Sequence, residues 1–185
     1  MYIRVLFLAM ITFAAAAPSF AQQQCNANIT ATTGHLKTVD TTNGTVSDNK
    51  TKLMWKSCPE GFTYSNGACT ASGTTSYAWS DALTLPPAQN ALNNGSGFAN
   101  KTGWRLPNIK ELQSIVEEKC QLPALNLSAF PAAIATAWSN SPAVDALLAN
   151  SSWYIDFSTQ YGNTMVNGRL NKSGVRLVRD CPECN

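Results

Sequence analysis

The sequence predicts an α+β domain held together by disulfides. Three observations predict it. Six cysteines all fall after residue 21 of a 185-residue chain. Short runs of alternating apolar and polar residues, bounded by turn formers, occur near the beginning and in the last third. Between them lie two stretches with helix-start signatures. A hairpin first, two central helices and a closing antiparallel meander make one α+β domain, and the length is enough for a real hydrophobic core.

Residues 1–21 read as a secretory signal peptide. Arg4 precedes an apolar run from Val5 to Ala17, followed by Pro18, and Ser19 and Ala21 supply the small residues of a cleavage site near Ala21. The run is shorter than the roughly 20 apolar residues that span a bilayer, and no later stretch is longer, so no membrane span is expected in the mature chain. The expected location is secreted or periplasmic, where an even number of cysteines forms cystines by default.

Residues 22–43, Thr-rich and weakly patterned, read as an extended entry segment, and the domain proper as residues 44–185. Order is expected to begin at Gly44. "GTVSDNKTKLMWKSC" has the form of a hairpin, with Thr45 and Val46 on one side, a turn at Asp48-Asn49, and a strand from Thr51 to Lys56. There Leu53 and Trp55 point to the core, while Lys52, Met54 and Lys56 make a basic outer face. Cys58 and Cys69 enclose Gly61 and Asn66-Gly67, turn formers that let the two cysteines meet across a short loop. Cys25, Cys120, Cys181 and Cys184 are then left, and two long-range cystines joining Cys181 and Cys184 to Cys25 and Cys120 are the favoured reading of the C-x-x-C at the end of the chain.

Ser76 is a candidate N-cap for a helix that stops before Pro86-Pro87, with a further turn ended by Gly95. In "TGWRLPNIKELQSI", Asn108 and Glu111 have the spacing of a capping box, Pro107 sets a rigid approach, and Ile109, Leu112, Ile115 and Val116 form an apolar stripe. Trp55 and Trp104 read as core. Arg105 is expected to be largely buried and paired with an acid or with backbone carbonyls. "QLPALNLSAFPAAIATA" reads as a compact loop with short helical pieces, and "TAWSNS", "SSWYIDFS", "NTMVNGRL" and "GVRLVRD" as strands.

The composition narrows function. Net charge is +2 and only 13% of residues are charged, which does not suit a nucleic-acid binder. The single histidine, His35, has no Ser, Cys or metal-ligand companion at a useful spacing and reads as a surface residue, so neither a nucleophilic triad nor a metal centre is indicated. Glu117 and Glu118 are adjacent on the expected helix and point apart, and the remaining acids are scattered. No cofactor and no catalysis are expected. The cations do cluster: Arg169, Lys172, Arg176 and Arg179 fall within eleven residues containing no acid. Arg176 and Arg179 should face opposite ways, so one of them can join Arg169 and Lys172 in a patch for sulfate or carboxylate groups.

Taken in order, "GTVSDNKTKLMW", "YAWSDAL", "TGWRLPNIKELQSI", "FP", "AWSNS", "YIDF" and "VRLVRD" resemble the successive motifs of the Lcl C-terminal domain family, the adhesive C-terminal domain of Legionella collagen-like proteins. The resemblance covers residues 44 to 180. It implies a C-type-lectin-like fold, also similar to formylglycine-generating enzymes, with both ends of the domain close together. It also implies a disulfide loop at Cys58 and Cys69. Lys52 stands where the family usually has Gly, and no collagen-like Gly-x-y run occurs in residues 22–43. With the composition, the resemblance implies a non-enzymatic binding domain for an anionic polysaccharide or surface glycan. Lys52, Arg169, Lys172 and Arg176 would supply charge, and exposed Tyr154 or Tyr161 would stack on sugar rings. The alternative is a module that docks onto an envelope or pilus-associated protein.

Overall fold

The computed structural model describes residues 22–144 and 146–184; the expected signal peptide and its cleavage site near Ala21 lie outside them. The framework is a four-stranded antiparallel sheet in the order β11 (Val178–Asp180), β4 (Leu53–Lys56), β3 (Thr45–Asp48), β2 (Leu36–Asp40). The hairpin β3–β4 forms, Val46 opposite Trp55 and Ser47 opposite Met54, but its second strand begins at Leu53 and not at Thr51, because Lys52 has a left-handed φ of 58° and belongs with Thr51 to the turn. Alternation then divides the sheet into two faces. Leu36, Val46, Leu53, Trp55 and Val178 enter one core with Leu112, Ile115, Phe130, Ile155 and Phe157. Met54 enters a second with Trp104, Leu106, Trp138, Val175 and Leu177.

Both faces of β4 are therefore covered, and the expected basic outer face does not exist. All four β4 residues are buried, and Lys56 meets Glu60 at 2.5 Å beneath the Phe98 ring. Burial draws the Lys56 pKa down, and Glu60 opposes that shift.

Order does not begin at Gly44. β2 completes the sheet, and β1 (Gln24–Cys25) pairs with β7 (Cys120–Gln121), placing Cys25 opposite Cys120. That register makes the Cys25–Cys120 cystine, while Cys181 and Cys184 close on each other within a turn in which the Cys184 N–H donates to the Cys181 carbonyl. The two long-range bridges expected from Cys181 and Cys184 are corrected accordingly. Cys58–Cys69 forms as expected, across the hairpin β5 (Phe62–Ser65) and β6 (Ala68–Ala71).

Helix α1 runs from Trp79 to Gly95, passing through Pro86 and Pro87 instead of stopping before them, and it starts after Ala78 without a side-chain cap from Ser76. Proline's fixed φ is itself helical, and the dihedrals stay helical through both residues, although each ring removes a backbone donor. Helical dihedrals end at Leu92, and Asn93 and Asn94 turn left-handed. Helix α2 (Ile109–Gln113) is shorter than its apolar stripe, yet Leu112, Ile115 and Val116 are buried as expected. Glu117 and Glu118 lie past its end. Residues 121–135 contain turns and bends and no helical piece. A three-stranded antiparallel sheet, β10 (Asn163–Gly168), β9 (Ser151–Asp156), β8 (Thr136–Pro142), forms the predicted meander. The "GVRLVRD" stretch is strand only from Val178 and joins the other sheet.

Candidate functional site

The segment that carries the strongest motif is a junction. Arg105 bridges Val178 through two backbone hydrogen bonds, extending the four-stranded sheet beyond β11. The Asn90 side chain from α1 holds both the N–H and the carbonyl of Trp104, and the Pro107 carbonyl accepts from Asn140 of β8. Asn108 and Glu111 form the predicted capping box. The Glu111 carboxylate also takes a bidentate pair from Arg105 at 2.7 Å, while Asp180 accepts from the same guanidinium at 2.6 Å. The hydrogen bonds to Glu111 raise the Arg105 pKa above its ordinary value. Arg105 pairs with acids as expected but its side chain is 35% exposed, not largely buried.

The proposed cationic patch does not assemble. Arg176 is fully buried: its guanidinium lies 4.4 Å from the Phe130 ring and donates to the carbonyls of Lys56, Ser57 and Ala132. Both faces of its segment are covered, so alternation could not place it outside. Arg169 lies over Trp79 at 4.5 Å and donates to Ser151 and Ser152. Lys52, at the β3–β4 turn, donates to the Cys184 carbonyl at 2.8 Å. Lys172 is exposed. Along the edge of the layer that covers Ser47 and Met54, a groove of about 420 Å³ carries Lys37 and Lys101 together with Asp40 and Glu183. There Glu183 draws in both Lys101 and Arg179, and the Arg179 hydrogen bond holds its carboxyl down to about 2.

Of the two candidate tyrosines, Tyr154 is buried against Trp138, and its hydroxyl reaches Met165, because Ile155 takes the face of β9 toward the first core and leaves Tyr154 on the face toward the second. Tyr161 is 55% exposed. It sits in the β9–β10 turn with φ 67°, a left-handed value that a bulky residue rarely adopts. The next residue explains the geometry. Gly162 also has positive φ, and a Cβ there would lie 2.6 Å from Val116. The turn is thus pressed onto the core, and the tyrosine ring is directed outward.

Beside Tyr161 is a recess of about 240 Å³ floored by the Cys25–Cys120 staple. Its walls carry four carboxamides, Gln24, Asn26, Gln121 and Gln160, and one charge of each sign, Glu118 and Lys119. Gln24 and Gln121 face each other across the β1–β7 pair, and the Gln121 amide donates to Gln24 at 2.9 Å. A half-exposed aromatic ring next to paired donors and acceptors suits a neutral, hydroxyl-rich ligand. The volume is below the roughly 300 Å³ at which drug-sized pockets begin, so it suits one ring of a longer chain.

Sequence reasoning missed Gln24, Asn26 and Gln121 because they flank two cysteines that are 95 residues apart, and it missed Gln160 although it directly precedes Tyr161. Knowing that pairing would have brought the first three together. His35, read as a surface residue, instead stands 3.4 Å from the buried Asp48 carboxylate with 16% of its side chain exposed. Among the described residues no group of three or more His, Cys, Asp or Glu is placed to hold a metal ion. No described helix is long and apolar enough to cross a membrane, and the three disulfides fit an extracellular or periplasmic protein.

No curated protein and no solved structure matches the chain. The Lcl C-terminal domain matches residues 44–179, from the start of β3 to the middle of β11. Both ends of that stretch lie in one sheet, separated by β4 alone. This match, which covers most of the chain, shows that the chain belongs to the Lcl C-terminal domain family.

Proposed function

We propose that this is a non-enzymatic, adhesin-type binding domain whose ligand is an extracellular glycan, taken at the Tyr161 recess. The observation that carries the reading is the outward-held Tyr161 ring beside four carboxamides. An aromatic face covers the apolar side of a sugar ring, and amides bond its hydroxyls in the in-plane pairs that hydroxyl groups offer. The C-type-lectin-like resemblance agrees with a loop-borne sugar site. With Arg176 buried and Arg169 engaged, the recess favours a neutral glycan over a polyanion.

An array of neutral and sulfated oligosaccharides tests this. The expected result is binding to a neutral arm that survives high salt and weakens about tenfold, or ~1.4 kcal/mol, in Tyr161→Ala. Binding confined to sulfated glycans, abolished by salt and untouched by Tyr161→Ala, would overturn it, as would no binding at all.

A second reading, docking on an envelope protein, draws on Val144, Leu147 and Leu170. Each is 93% exposed, and all three lie at the end of the β8–β9–β10 sheet where Arg169 bonds Asn150. Retention on an envelope extract that Leu170→Asp abolishes and Tyr161→Ala leaves intact would favour it.

A further inference from the structure

Strand β10 ends the three-stranded sheet, paired with β9 on one side only. Natural edges are blunted by charge, proline or a bulge. This one has none of them. Asn163-Thr164-Met165-Val166-Asn167-Gly168 carries no charge and no proline, and its register with β9 runs unbroken. It is also partly open, with Met165 42% exposed.

The hydrogen-bond alternation fixes which backbone groups face outward. The Arg169 N–H donates to the Asn150 carbonyl, and the Trp153 carbonyl is taken by Ser139 of β8. In an antiparallel ladder inward and outward residues alternate, so Asn163, Met165 and Asn167 bond β9, and Thr164, Val166 and Gly168 face away. Gly168 is closed off within its own turn. Its N–H is taken by the Asn167 side chain, and its carbonyl accepts from Asn171. The open edge is therefore the N–H and carbonyl groups of Thr164 and Val166.

The sequence around that edge reads nearly the same in both directions: Gly162-Asn163-Thr164-Met165-Val166-Asn167-Gly168. The one mismatched pair, Thr164 and Val166, consists of two β-branched side chains of nearly the same shape. An antiparallel neighbour running through Met165 as its centre sets Gly opposite Gly, Asn opposite Asn and Thr opposite Val. We propose that β10 is a self-pairing edge, and that two copies of this chain join through it about a two-fold axis at Met165. Thr164 of each copy faces Val166 of the other, and each such pair exchanges two backbone hydrogen bonds. Met165 meets Met165 of the second copy as the close, non-hydrogen-bonded pair. The amides of Asn163 and Asn167 oppose each other above and below it. A single strand covers less than the roughly 1,000 Å² of a tight interface, so the pairing is concentration-dependent.

The test introduces one thiol into the whole mature chain. All six native cysteines are in cystines, so an added one reacts alone. Residues in a non-hydrogen-bonded pair lie about 4.5 Å apart at Cα, within reach of a disulfide. Met165→Cys should cross-link to a covalent dimer under mild oxidation at least about tenfold faster than Lys172→Cys, an exposed control, because pairing raises the effective concentration. Sedimentation of the unmodified chain should show a dimer that grows with concentration, and Met165→Lys should leave a folded monomer that still melts in one cooperative transition, displaced only by the lost contact with the Tyr154 hydroxyl. Equal cross-linking at both positions, a monomer at every concentration, or a dimer that Met165→Lys leaves intact would each overturn the proposal. No glycan enters these measurements, so their outcome is separate from that of the binding reading.

Discussion

Lys52 occupies a conformation its side chain disfavours. Its φ is 58°, in the left-handed region, and the Gly that the family resemblance expects at this turn would adopt it freely. The left-handed conformation costs an ordinary residue about 1–2 kcal/mol. Lys52→Gly gives that back but forfeits the bond to the Cys184 carbonyl. The expected net effect is a gain of about 0.5 kcal/mol, seen as a rise of about 2 °C in the calorimetric midpoint. Glu117 shows the opposite economy. Burial pushes its pKa up, but hydrogen bonds from Thr33, Thr32 and Lys119 outweigh this and hold it below the ordinary value. A carboxylate depressed in the folded state stabilises it above the unfolded pKa, and that contribution is lost as pH falls through the folded one. Glu117→Gln should therefore cost about 1–3 kcal/mol at neutral pH. The gap from the parent should close as pH drops below the ordinary glutamate value of about 4.3, measured by denaturant titration at a series of pH values.

Elements were legible where their cause is local. The Asn108–Glu111 capping box, the β3–β4 hairpin and the Cys58–Cys69 loop are each specified within a dozen residues, and each formed, the hairpin with Thr51 and Lys52 in its turn instead of its strand. What failed depends on distant partners. Alternation placed Lys56 and Arg176 correctly relative to their neighbours. It could not reveal that the layers over β4 and over the segment preceding β11 bring Glu60 and three carbonyls to meet them. The recess was half legible: Tyr161 was identified, but Gln24 and Gln121 meet only through the β1–β7 pair. The cystines should rank by the loops they close, 95, 11 and 3 residues apart. The chain-entropy estimate is about 4.5, 3 and 1.5 kcal/mol. Paired Cys→Ser replacements followed by urea unfolding should reproduce that order, with Cys25–Cys120 the costliest and Cys181–Cys184 the least costly.

For the molecule as a whole, low charge governs what it can do. Most of the cations are already engaged, Lys56 and Arg176 in the interior and Arg105, Lys101 and Arg179 by acids at the surface, and with a net charge of only +2 no strong field steers ligands from afar. Affinity must come from short-range contact and from repetition. Pairing through β10 would supply the repetition, since Tyr161 directly precedes Gly162 at the start of the strand, and each dimer would present two recesses to one polymer. The Cys25–Cys120 staple, finally, imposes an order in time. Cys25 is the first cysteine to be synthesised, yet its partner is the fourth, so it must stay unpaired while Cys58 and Cys69 are made and close their own loop. Early oxidation that captured Cys25 with either of them would strand β1 away from β7. Correct maturation thus favours slow oxidation, or a catalyst that reshuffles wrong bridges, over a fast one.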